Sequence, residues 1–165
     1  IAQELKRIAD AVGDAKSVGV ITFYSAQRDR ILAELEPLGI TVREDGELRI
    51  ARKYRTTRDG GERVRVGTVD AFQGMEFDIV LLSVVRSSRN RPAAGASPDA
   101  REVVLNAKYG HLRLPNRMNV AMSRQRSLLV AVGDRGMADG EEAREAVPAL
   151  AAFHDLCRGG HGYVR

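Results

Sequence analysis

The chain has 165 residues, 44% of them hydrophobic and 29% charged, with a formal net charge of +4 and an isoelectric point near 9.6. That length buries a core without covalent or metal staples, and with Cys157 as the only cysteine an intrachain disulfide or thiolate metal cluster is excluded. No apolar run approaches a membrane span, and "IAQELKRIAD" is no signal peptide, so a cytosolic location and no membrane partner are expected.

In chain order, Ile1, Leu5, Ile8 and Val12 fall on one stripe, as in an amphipathic helix that Gly13 ends. This start, without methionine and already in helical rhythm, is expected of a fragment of a longer polypeptide. "SVGVITF" (Ser17–Phe23) reads as a strand buried on both faces. Ser25 is expected to cap the next helix, which Pro37 and Gly39 stop. "TVREDGELRI" alternates around Asp45-Gly46 and predicts a hairpin. "RDGGER" marks a further turn after the basic stretch "RIARKYR".

"RVRVGTV" (Arg63–Val69) and "DIVLLSVV" (Asp78–Val85) read as strands, the second apolar throughout and therefore central. Arg86–Glu102 is rich in Pro, Gly, Ser and Ala and is expected to be a loop or mobile insertion. Arg117–Arg126 reads as a helix, and Ser127–Asp134 as another buried strand. The chain closes with a helix that Pro148 breaks or kinks. Strands alternating with helices indicate an α/β fold with a mostly parallel sheet, whose ligands are expected beyond the carboxyl ends of the strands. Tyr24, Gln27, Asp70–Glu76, Arg86 and Asp134 all follow strands.

Of 26 basic residues only Lys6, Lys16, Lys53 and Lys108 are lysines. An arginine excess suits phosphate recognition, and a codon bias produces the same excess. His111, His154 and His161 lack the spacing of a zinc site, so no bound metal is expected within this chain. No G-x-x-x-x-G-K-[ST] occurs; "GDAKS" (Gly13–Ser17) lacks the second glycine and precedes a strand. No apolar strand ends in Asp-Glu. Without those groups the chain is not expected to bind and split a nucleoside triphosphate unaided. In "NRMNVAMSRQR" (Asn116–Arg126), Arg117 and Arg124 are expected to share a helix face. They are either solvated surface charges or groups that project across an interface.

Three segments, "VITFYSAQ", "GTVDAFQGMEFDIVLLSVVRS" and "NRMNVAMSRQRSLLVAVGD", resemble motifs IV, V and VI of superfamily 1 helicases, in order, over about Val18–Asp134. The resemblance is to the second RecA-like domain of the up-frameshift-type and senataxin-like branch. It implies a RecA-like three-layer α/β fold, one domain over residues 1–165 with a loop insertion at 86–113. It also implies one half of an ATP-dependent motor, whose ATP and Mg2+ are held with a first RecA-like domain of the same polypeptide. The metal ligands are expected in that other domain, and single-stranded RNA or DNA is the expected partner.

By the same resemblance Arg124 is the arginine finger and Arg126 a supporting charge, and Gln73, Gly74 and Glu76 face the nucleotide. Thr68, Tyr24 and Gln27 lie along the nucleic-acid strand. Asp78 caps or starts its strand, and Asp70 either caps the turn or couples the two ligands. Phe23 stands where the family has proline, Asn116 replaces the first arginine of its Arg-Arg pair, and Gln125 replaces an alanine. The family's Q-Y-R-M segment and first-domain motifs are not in this chain. The alternative is a module that keeps the fold without catalysis and binds phosphates through Arg49–Arg65 and through Arg86, Arg89, Arg91 and Arg101.

Overall fold

The computed structural model describes residues 1–88 and 91–164, so Arg89 lies outside the described residues. The chain divides into two compact units, Ile1–Ser83 with Val120–Val132, and Val84–Asn119 with Gly133–Arg165. In chain order the first unit begins with α1 (Ala2–Val12), β1 (Val18–Thr22), α2 (Ser25–Leu35), β2 (Thr41–Glu44), β3 (Glu47–Ile50) and β4 (Val64–Thr68). It continues with β5 (Phe77–Val84), and then the second unit contributes α3 (Pro98–Tyr109) and most of α4 (Pro115–Ala121). β6 (Gln125–Gly133) returns to the first unit, and α5 (Glu141–Ala146) and α6 (Pro148–Leu156) complete the second.

The first unit is built on a four-stranded sheet of order β4-β1-β5-β6, with β1 parallel to both β4 and β5. A central sheet flanked by helices is the α/β, RecA-like arrangement expected. β1 is buried along its whole length, as its unbroken apolar run requires. The register sets Val18 beside Val64 and Ile79, and Thr22 beside Thr68 and Ser83. Alternate residues therefore share a face. Val18, Val20, Val64, Ile79 and Leu81 pack with Leu5 and Ile8 of α1 and Ile31 and Leu35 of α2.

On the opposite face two strand glycines make room for one aromatic ring. A Cβ on Gly19 would lie 2.8 Å from the Phe72 ring, and one on Gly67 would lie 3.0 Å from it. Phe72 is fully buried and meets Phe77 with ring centroids 5.3 Å apart. β2 and β3 form the expected hairpin as a separate two-stranded sheet, with Asp45 and Gly46 at φ 52° and 81°. Positive φ at both central residues is the backbone that a tight hairpin demands.

Four local expectations are corrected. α2 starts at Ser25 itself, after an extended Tyr24 (φ −133°, ψ 134°), and no side chain caps it. The loop expected over Arg86–Glu102 gives way to α3 at Pro98: Ser97 Oγ accepts the Ala100 amide at 3.3 Å, and proline occupies the first turn. The helix expected over Arg117–Arg126 stops at Ala121, because Phe77 N donates to Arg124 O at 2.9 Å and draws the following residues into the sheet. β6 is an edge strand and not a buried one; none of its residues is fully buried, and Leu128 is 47% exposed.

In the second unit, Lys108 and Tyr109 of α3 both donate to Glu142 Oε1 of α5, and Arg101 pairs with Glu145. Burial, then the neighbouring Glu142 carboxylate, pushes the Tyr109 phenol far above its ordinary range. Val147, at φ −140° and ψ 59°, separates α5 from α6, as Pro148 predicted. No helix among the described residues is long and apolar enough to cross a membrane.

Candidate functional site

β4 and β5 flank β1 in the same direction, so the chain must return from the carboxyl edge of the sheet to its amino edge between Thr68 and Phe77. It does so in eight residues. A 3-10 turn (Val69–Phe72) leads to Gln73, Gly74, Met75 and Glu76, with Phe72 pinned over the two strand glycines. Gly74 has φ 76° and open space where a Cβ would project, so backbone conformation is what calls for glycine here. The polar residues expected on one edge are thus divided between two. Thr68 remains at the carboxyl edge, and Glu76 lies at the amino edge. The five residues of β1 separate the edges by roughly 13 Å.

At the amino edge, Arg126 Nε donates to Glu76 Oε2 at 3.1 Å, with both side chains nearly 60% exposed. Such a pair adds about 0–1 kcal/mol to stability. The half-buried Arg124 is held more firmly. Its Nε donates to Val120 O at 3.1 Å, Nη1 to Met75 O at 3.4 Å and Nη2 to Ser123 Oγ at 2.8 Å. Arg117 and Arg124 do not share a helix face, since Arg124 lies beyond the end of α4. Arg117 has His111 Nδ1 3.3 Å away.

Beside this group, Asp78 joins the starts of β5 and β1. Its Oδ2 accepts Ser17 N at 2.9 Å and Ser17 Oγ at 2.8 Å, and Lys16 Nζ lies 3.2 Å from Oδ1. The Ser17 amide, foremost, holds the Asp78 carboxyl below its ordinary range, against the opposing effect of burial. Asp59, across a concave space of about 380 Å³ that Ser17, Gly74, Glu76, Asp78 and Arg126 also line, is likewise held low. The hydroxyl of Thr57 is the first cause there. Among the described residues no group of three His, Cys, Asp or Glu side chains is disposed to hold a metal ion.

At the carboxyl edge, register brings Thr68, Thr22 and Ser83 into one row across three strands. Gln27 Nε2 donates to Ser83 Oγ at 3.3 Å, so α2 is tied to this row. The Thr22 hydroxyl is fully buried and has no hydrogen-bond partner among the described residues. Tyr24 and Gln27 are both half-buried here, and Asp70 is exposed on the 3-10 turn.

The basic stretch Arg49–Arg65 is largely matched by acids. Arg49 pairs with Glu47, Arg55 with Glu44, Arg58 with Asp14 and Arg65 with Glu62. Arg63 is buried and donates to the carbonyls of Lys53 and Ala9, at 2.6 and 3.0 Å. Arg52 and Lys53, both exposed, form no ion pair among the described residues, so part of the segment's charge stays available to a polyanion. Sequence reasoning missed Ser17, Met75 O and Ser123. The first is 61 residues from its partner, and the second acts through its backbone. The serine beside Arg124 was the one available signal.

Curated relatives are similar to most of this chain. "Regulator of nonsense transcripts 1 homolog" of Neurospora crassa is 33% identical over 117 residues, covering 71% of this chain and 8% of the relative. "ATP-dependent helicase NAM7" of Saccharomyces cerevisiae is 32% identical over 119 residues, covering 72% and 9%. "Putative helicase MOV-10" of Gallus gallus is 30% identical over 119 residues, covering 72% and 10%. The chain thus spans about a tenth of the length of the relatives it matches. A family model described as "AAA domain" matches residues 1–136, more than four fifths of the chain. The protein therefore belongs to this AAA domain family.

Proposed function

We propose that this chain is the second, C-terminal RecA-like domain of a superfamily 1 helicase or translocase of the up-frameshift and senataxin-like branch. A first RecA-like domain of the same polypeptide holds ATP and its Mg2+, and the amino edge of this domain completes the site. Arg124 neutralises charge developing on the transferred phosphoryl group, and Arg126 supports it. Glu76 accepts from the nucleotide, and the Gln73-Gly74 backbone makes room for it. Single-stranded nucleic acid runs along the opposite edge, against Thr68, Tyr24 and Gln27. The whole chain acts as one lobe, with residues 86–113 inserted into it.

The observation that carries this reading is the convergence at the amino edge. Arg124 is joined to the Gly74–Phe77 segment twice, through Nη1 to Met75 O and through its carbonyl to Phe77 N, and Arg126 is joined to Glu76. An arginine finger, an accessory cation and an acceptor on one exposed edge form half of a triphosphate site. They stand at the far end of a rigid sheet from the hydroxyl row. A ligand at one edge can therefore move the other as a unit.

The test is Arg124→Ala in the full-length polypeptide. Nucleic-acid-stimulated ATP hydrolysis should fall roughly 10³-fold or more, with ATP affinity nearly unchanged. Hydrolysis at the parent rate would overturn the assignment.

A further inference from the structure

We infer that Ser123 is a positioning residue for the Arg124 guanidinium, an inference that rests on the function proposed above. A guanidinium carries five N–H donors on a long, rotatable stem. Among the described residues three of Arg124's donors have acceptors: Val120 O, Met75 O and Ser123 Oγ. Two donors remain, one on each Nη, and two is the number that bidentate recognition of a phosphate uses.

The three acceptors are unequal. The contact to Met75 O is long at 3.4 Å, and that to Val120 O is 3.1 Å. Ser123 Oγ, at 2.8 Å, is the shortest of the three and the one that belongs to a side chain. The serine hydroxyl itself leans on Val120 O at 3.4 Å, an acceptor at the last turn of α4. Val120 O thus receives both the Ser123 hydroxyl and Arg124 Nε, and the three groups form a closed set. Removing the hydroxyl leaves the guanidinium two contacts, one of them long, and frees its rotation.

A finger acts on charge that develops in the transition state, so loosening it affects turnover more than ground-state binding. Ser123→Ala in the full-length polypeptide should lower kcat for nucleic-acid-stimulated ATP hydrolysis about tenfold, the scale of one hydrogen bond to a charged group. KM should stay within about twofold and Tm should be unchanged, because Ser123 is exposed. Ser123→Thr keeps the hydroxyl and should recover kcat. Ser123→Ala in an Arg124→Ala background should add no further loss.

Parent-level kcat in Ser123→Ala, beside an impaired Arg124→Ala, would overturn the positioning role and leave the finger standing. An equal loss in Ser123→Thr, or an additional loss in the double variant, would overturn it as well. Parent-level hydrolysis by Arg124→Ala would overturn both this role and the function on which it rests.

Discussion

Asp78 and Glu76 lie two residues apart and do different work because their surroundings differ. Glu76 faces solvent with one arginine, whereas Asp78 takes a backbone amide, a hydroxyl and a lysine. The amide cannot rotate away, so the Asp78 carboxylate is a fixed part of the β1–β5 junction. Its folded pKa is depressed, and the stability it contributes is present above the unfolded value and lost as pH falls through the folded one. Asp78→Asn offers Ser17 either an amide N–H or a neutral, weaker acceptor, and should cost about 1–3 kcal/mol at pH 7. The gap between parent and variant should narrow below about pH 4, where this carboxylate begins to protonate in the unfolded parent chain. Urea unfolding at pH 7 and pH 3 measures both. An equal gap at the two values would detach Asp78 from the acid dependence.

Among the elements, the β4–β5 connection decides where the site lies. Its geometry depends on the seating of Phe72 over Gly19 and Gly67, and neither ring nor strand has slack there. Gly19→Ala puts a methyl 2.8 Å from the Phe72 ring and 3.2 Å from Phe77. It should therefore destabilise the fold by about 1–3 kcal/mol, read as a lower urea midpoint at unchanged m. β1 and the Asp45-Gly46 hairpin were legible from local chemistry, since an unbroken apolar run and a positive-φ turn need no knowledge of neighbours. α3 was hidden because Pro, Gly and Ala in "RPAAGASP" outweighed the Ser97-Pro98-Asp99 start signal. The end of α4 was hidden for another reason: Met122–Arg124 suit a helix locally, and a ladder bond from Phe77, far away in sequence, overrules that preference. The site residues were legible as polar breaks between strands. Their division between two edges was not, because it follows from which strands pair: Tyr24, Gln27 and Asp70 follow the carboxyl ends of β1 and β4 as expected, whereas Glu76 stands at the start of β5.

For the whole molecule, the question is what the chain does by itself. An arginine finger is worth roughly 10³–10⁵ in rate, but only on a phosphoryl group already bound, aligned and neutralised by other groups. The amino edge offers Arg124 with two spare donors, Arg126 and Glu76, and it has acids on its rim at Asp59 and Asp78. Those acids disfavour a free triphosphate. The sequence has no lysine-bearing glycine loop to outweigh them. The chain alone should therefore show no ATP hydrolysis above buffer, with or without single-stranded nucleic acid. A phosphate-release assay on homogeneous chain measures this, with Arg124→Ala run in parallel to separate contaminating activity from the chain's own. Turnover that tracks the chain through purification and disappears in Arg124→Ala would mean that this domain carries a complete site, and the two-lobed motor would have to be abandoned.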